Sequence, residues 1–148
     1  MGIMDFEKYV KFANEHPLCS VATVDGDQPQ VRMFGMWFAD KNGFYFSTGK
    51  IKDVYRQLSV NPRVGLLFYV PPETPAGPGS EDVGTMMRVT GTARFVDDPA
   101  LRERLFTERP FLRPLAENVV IVGVENGEAW FWTWKDNARE SAIEPVRF

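Results

Sequence analysis

Three dipeptides, Asp25-Gly26, Asn42-Gly43 and Asn126-Gly127, each stand between two short apolar runs. Glycine after Asp or Asn supplies the positive φ that a tight hairpin turn requires. This punctuation commits the chain to antiparallel strands. Residues 18–24 and 29–39 flank the first turn, and residues 44–48 follow the second. Residues 118–124 and 128–134 read as a final hairpin around the third. Between them, residues 63–70 form a nearly continuous apolar run, the pattern of a central strand covered on both faces. Residues 83–96 form a long strand with Gly91 as a bend.

Three short helices interrupt the strands. Asp5 is placed to cap a helix whose apolar residues Phe6, Tyr9, Val10 and Ala13 follow a helical period, and Pro17 stops it. Ile51, Val54, Tyr55 and Leu58 have the i, i+3, i+4, i+7 spacing of a one-face helix that ends before Pro62. Asp97-Asp98-Pro99 opens a third helix running to about Thr107. Residues 71–82 are rich in Pro and Gly and form neither helix nor ladder. The tail, residues 135–148, reads as an edge strand or as an arm around a partner. Six to seven short strands with three helices predict a mainly β fold, an antiparallel barrel with flanking helices, in one domain over residues 1–148.

Composition narrows the function. The net charge of −3 argues against nucleic acid as the main partner. The lone Cys19 excludes an intrachain disulfide and a cysteine-based metal site, and the lone His16 leaves no histidine-rich metal centre and no catalytic triad. No apolar run is long enough to span a membrane and no signal-peptide pattern opens the chain, so a cytoplasmic protein is expected. Aromatic residues reach 14%, including twelve Phe and four Trp, more ring surface than one small core uses. The surplus suits a dimer interface or a flat ligand.

The richest segment is residues 30–69. Here a hairpin strand runs into a basic turn and then the second helix. Thr48, Lys50 and Lys52 gather a hydroxyl, two ammonium groups and backbone N–H groups at a helix N-terminus, a pattern that holds anions such as phosphate. Gln57 is read on the outer side of that helix. Trp130, Trp132 and Trp134 alternate on one predicted strand and so share a face.

The order of these pieces resembles a known family. The segments ATVDGDQPQVR and KDVYRQLSVNPRV, with MRVTGTARFVDD and the closing AWFWTW, are similar to the pyridoxamine 5'-phosphate oxidase-like proteins, which have an FMN-binding split β-barrel. The resemblance implies a homodimer with FMN in two grooves at the subunit interface. It implies that Arg32 lies beside the FMN phosphate or ribityl chain and that Lys52 neutralises the phosphate, with Lys50 in the same turn. It implies that the strand at Met33 and Phe34 touches the ring system mainly through its backbone. Phe46, Ser47 and Thr48 end the next strand, and Thr48 matches a threonine near the flavin. Gln57 is a weaker candidate, and Trp132 or Trp134 is a candidate for packing on the flavin bound mainly by the other subunit, the alternative being interface packing without flavin contact.

Departures from the pattern matter as much. Trp37 stands where the classical oxidases carry a lysine, Ile51 where a hydroxyl residue is frequent, and no Arg-x-His pair follows. Oxidation of vitamin B6 is therefore not expected. An FMN-dependent oxidoreductase with a small-molecule electron donor or acceptor is. The alternatives are a non-enzymatic flavin carrier, electron-transfer or sensor protein, or a relative that binds the deazaflavin F420 or haem. No catalytic side chain and no metal site are predicted.

Overall fold

The computed structural model describes residues 2–74, 77–79 and 81–148. Helix α1 (Gly2–Glu15) leads into β1 (Leu18–Asp25) and β2 (Gln28–Gly35), paired antiparallel around the Asp25-Gly26 turn. There follow β3 (Phe38–Asp40), β4 (Gly43–Gly49), α2 (Asp53–Val60), β5 (Arg63–Val70), β6 (Thr85–Phe95), α3 (Pro99–Glu108), β7 (Val119–Trp132) and β8 (Val146–Arg147). The strands lie in the order β2-β1-β5-β6-β7-β4-β3, with β8 added on β7. β2 and β3 are thus the two ends of one curled antiparallel sheet. Helix α2 packs on both β1 and β4 across the gap between the two arms. The fold is mainly β, a split barrel with flanking helices. It has eight strands where six to seven were expected: the predicted strand 29–39 divides at Met36-Trp37 into β2 and β3, the tail adds β8, and the two predicted strands of the last hairpin join into β7.

The larger core fills the concave side. Phe44, Phe46, Phe68, Val21 and Met87 are its largest buried members, closed over by Phe6, Tyr9 and Ala13 of α1. Most of the aromatic surplus is absorbed here. Phe148 stacks on Phe6 with ring centroids 4.7 Å apart and meets Phe44 edge-on. A smaller core on the other side of β4 and β7 joins Tyr45, Val119 and Ile121 to Leu105 and Phe106 of α3. The start of α3 follows its sequence signature: the Asp98 carboxylate accepts from the N–H groups of Ala100 and Leu101, and Pro99 opens the first turn. Asp5 is not a cap; α1 begins at Gly2 and holds Asp5 in its first turn.

The predicted terminal hairpin does not form. Residues 119–132 are one continuous strand along β6. Thr90 pairs with Glu128 and Thr92 with Glu125, so two steps on β6 match three on β7, which marks one extra residue as a β-bulge. Asn126 sits at φ 53, and Gly127 exchanges both backbone hydrogen bonds with Phe148 of the tail, at 3.2 and 3.1 Å. An Asn-Gly pair supplies the same left-handed backbone to a bulge as to a turn. The long unbroken partner β6 selects the bulge. Trp134 consequently falls outside the strand, in a short 3₁₀ turn, and leaves the face shared by Trp130 and Trp132. Of the loop at residues 71–82, Pro75, Ala76 and Ser80 lie outside the described residues.

Cys19 is fully buried on β1, and that burial pushes its thiol up to about 12, a backbone hydrogen bond at Leu67 opposing the shift. The folded value lies above the unfolded one. This contribution to stability is therefore complete below the unfolded thiol value and is lost as pH rises from about 9 toward 12. Since the thiolate is the reactive form, Cys19 of the folded chain is expected to resist iodoacetamide near pH ~8 and to react fully in denaturant. Rapid labelling of the native chain, read by mass spectrometry, would contradict the buried placement of β1.

Candidate functional site

Strand β2 has one neighbour, β1, so its other edge leaves alternate backbone N–H and C=O groups unpaired. A cavity of about 680 Å³ lies between this edge and the N-terminal turn of α2. Arg32, Met33, Phe34, Lys52, Asp53 and Gln57 line it. Its volume is within the ordinary range for small-molecule sites, roughly 300–1,000 Å³.

Arg32 is the best-held cation in this cavity. Its Nη1 donates to Thr23 Oγ1 at 2.7 Å and to the Val21 carbonyl at 3.3 Å, and its Nη2 donates to Gln57 Oε1 at 2.7 Å. The Thr23 hydroxyl in turn donates to Gln57 Oε1. A guanidinium has five N–H donors; these three bonds leave two. Burial pushes the Arg32 guanidinium below its ordinary value and the Asp53 carboxylate opposes that shift. From so high a starting point it remains a cation. Gln57 is corrected here: it is buried, on the face of α2 that also buries Val54 and Leu58. Its spacing of i+3 from Val54 carried that signal. Ile51 does not belong to the stripe, because α2 begins two residues later, and its side chain is 88% exposed.

The basic turn is built differently from the sequence expectation. Asn118 fastens it: the Lys50 N–H donates to the Asn118 carbonyl at 2.8 Å, and the Ile51 N–H donates to Asn118 Oδ1 at 3.2 Å. The Lys52 N–H bonds back to Gly49 at 3.0 Å. These amides are therefore not available to an anion. What remains is the Asp53 and Val54 N–H groups of the first turn of α2, which have no acceptor among the described residues, and the Lys52 ammonium, 5.8 Å from the centre of the Phe34 ring and without an ion-pair partner among the described residues. Lys50 is separated from Lys52 and faces another cleft, with Asp97, Asp98 and Glu117.

Carboxylates temper the positive field. Arg56 grips Asp25 through two hydrogen bonds of 3.1 Å and lies 3.7 Å from Asp53. The hydrogen bond from Arg56 holds the Asp25 carboxyl below its usual range. Arg32, Lys52 and Arg56 against Asp25 and Asp53 leave a net charge of +1, three minus two, around the cavity. Thr23, Asp25, Arg56 and Asn118 were missed by sequence reasoning. Only the inward period of Val21 and Thr23 on β1 hinted at the first of them.

The other predicted residues spread around this centre. Thr48 is 6% exposed, its Oγ1 has no hydrogen-bond partner among the described residues, and its side chain does not line the cavity. Phe46 is fully buried and packs against Phe34 at 4.9 Å, so it supports the cavity from behind. Ser47 is half-buried on the opposite face of β4 from Phe46 and Thr48. Strand register puts Met33, Ser20, Leu67, Arg88 and Trp130 in one row, and beside it Gly35 pairs with Leu18 while Tyr69, Met86 and Trp132 pair in a row of their own. These rows form the convex face, whereas Arg32 and Phe34 belong to the concave one. Trp132 and Arg32 of one chain therefore lie on opposite faces of the sheet. Trp37 turns toward α3 and donates to Glu108 Oε1 at 3.1 Å. Among the described residues no cluster of His, Cys, Asp or Glu is placed to hold a metal ion, and no helix is long and apolar enough to cross a membrane.

A family model described as pyridoxamine 5'-phosphate oxidase matches residues 6–138. The chain belongs to this family. Among solved structures, a NimC/NimA family protein from Clostridium acetobutylicum is similar, with a TM-score of 0.68 and 21% identity, over 98% of this chain and 91% of that one. General stress protein 26 of Bacillus anthracis has a TM-score of 0.69 and 17% identity, over 98% of this chain and all, 100%, of the other. HutZ, the haem storage protein of Vibrio cholerae, has a TM-score of 0.64 and 15% identity, over 90% and 95%. At such identities these likenesses establish the split-barrel fold that this pyridoxamine 5'-phosphate oxidase family member shares with them. Comparison with curated proteins returns no match.

Proposed function

We propose that the chain is an FMN-binding flavoprotein that acts as an oxidoreductase, with its flavin phosphate held by Arg32 and Lys52. The observation that carries this reading is the Arg32 guanidinium, fixed by Thr23 and Gln57 with two donors left over, in the cavity that Lys52 also lines. A planar fork of donors beside an ammonium suits a phosphate, and a net charge of +1 offsets part of its charge. The open edge of β2 fits a ligand rich in carbonyl and N–H groups. FMN, when bound, supplies hydride acceptance and donation; the side chains named here bind and orient.

The proposal includes a homodimer. Val31 and Met33 on the convex face are 69% and 54% exposed, beside the partly covered Leu67, Met86 and Trp130. An apolar face of this kind suits a second copy of the chain. Trp132 points to the same face but is only 9% exposed, so at most its edge would meet a flavin held mainly by the other subunit. The proposal also keeps the cytoplasmic location expected from the sequence.

Lys52→Ala is expected to weaken FMN about tenfold while changing riboflavin less than about twofold, because the lost charge-assisted bond is to phosphate. Fluorescence titration of both ligands checks it; equal weakening of the two would move the phosphate elsewhere. The visible spectrum of the purified chain, with chromatography of any released chromophore, separates FMN from F420 and haem. Steady turnover with a nicotinamide donor separates an oxidoreductase from a carrier.

A further inference from the structure

We infer that Gln57, together with Thr23, is a positioning residue that sets the direction of the Arg32 guanidinium toward its anionic ligand. The inference rests on the FMN reading above and goes beyond it, since neither side chain need touch the ligand's phosphate. A buried side-chain amide on a helix face otherwise made of Val54 and Leu58 is costly unless fully hydrogen-bonded. Leucine would pack there without that cost.

Gln57 is 3% exposed and Thr23 is 3% exposed, yet Thr23 Oγ1 and Gln57 Oε1 are spent on one another and on Arg32, while the Gln57 amide N–H is turned toward the Asp25 carboxylate. The polarity of the network is determined. The hydroxyl hydrogen of Thr23 goes to Gln57 Oε1, so its lone pairs face Nη1. Gln57 Oε1 therefore accepts from both Thr23 and Nη2. Nη1 and Nη2 are anchored to two different elements, β1 and α2, and the guanidinium plane is locked before any ligand arrives. An arginine side chain otherwise gives up its rotamer freedom on binding; here folding has already ordered it. The acceptor must also be neutral. A carboxylate at position 57 keeps the geometry but pairs with the cation, drawing its charge away from the cavity.

The test compares the full-length chain with Gln57→Glu and Gln57→Leu, titrating FMN and riboflavin and following thermal melting with and without inorganic phosphate. A positioning role predicts that Gln57→Glu, whatever the effect of its carboxylate beside Asp25 on melting, binds FMN about tenfold more weakly relative to riboflavin. Gln57→Leu should also lower the FMN-to-riboflavin preference, by about fivefold, beyond any loss of stability. A merely structural role predicts that Gln57→Glu preserves the preference and that Gln57→Leu weakens both ligands alike. If wild type prefers FMN and both variants keep that preference within about twofold, the positioning role is overturned and the flavin reading stands. If wild type neither takes up FMN nor gains stability from phosphate, both are overturned.

Discussion

Arg32→Ala is expected to reduce FMN affinity by about a hundredfold or more. Two charge-assisted hydrogen bonds at roughly 1.5–3 kcal/mol each, screened by partial exposure, give about 3 kcal/mol, and each ~1.4 kcal/mol is tenfold. Riboflavin, lacking the phosphate, should lose far less. Arg32→Lys is expected to recover little. A lysine carries the same charge, but it cannot bond Thr23 and Gln57 with two nitrogens of one plane and still present donors outward. The unliganded protein should melt within a few degrees of wild type, since Thr23 and Gln57 still satisfy each other after the truncation. Flavin fluorescence titration reads the affinity. An Arg32→Lys chain that binds FMN as wild type does would reduce the site to simple charge attraction and remove the case for a fixed fork.

The largest effect on stability is expected from a single methyl group at Gly127. A Cβ built there stands 1.8 Å from the Thr90 carbonyl oxygen and 2.7 Å from Gly91 Cα. Both obstacles are backbone atoms of β6, so no side chain can swing aside. Gly127→Ala must open the bulge, and with it the paired hydrogen bonds that dock Phe148. Phe148 is packed against Phe6 and Phe44, so the disturbance reaches the lid of the main core. We expect a loss of about 3 kcal/mol or more, or a drop of about 10 °C in Tm for a chain of this size. Gly65→Ala is the control, because its Cβ would meet nothing closer than 3.7 Å; it should melt near wild type. Calorimetry of both variants decides. Similar melting temperatures for Gly127→Ala and wild type would mean that the bulge is not where β7 folds over β6.

Much of the site was legible before folding. Lys52 was recognisable because a strand ending in a basic turn before a one-face helix gathers cations by local geometry, whereas Arg32, on a different strand, was singled out only by the resemblance to the family. Lys50, two residues away, was not separable from Lys52 by sequence. Asn118, distant in the chain, fastens the turn and sends the two ammonium groups into different clefts. Gln57 was misplaced because a polar residue beside an apolar stripe looks solvated until a buried guanidinium is known to lie opposite. The aromatic surplus was visible as a number, but its destination was not. Phe148 and Phe6 lie far apart in the chain, and only the docking of β8 at the bulge makes them neighbours.

The sequence by itself determined the antiparallel strands, the three helices, the order of elements and the family, because turn residues, caps and apolar periods act over a few positions. Tertiary structure decided whether Asn126-Gly127 turns the chain or bulges it, which face of the sheet each tryptophan occupies, and that Thr23, Gln57 and Arg32 meet. The physical reason is the same in each case. A left-handed Asn, an alternating strand and a buried amide are each compatible with more than one local arrangement, and the choice falls to long-range backbone pairing and to the need of buried polar groups for partners.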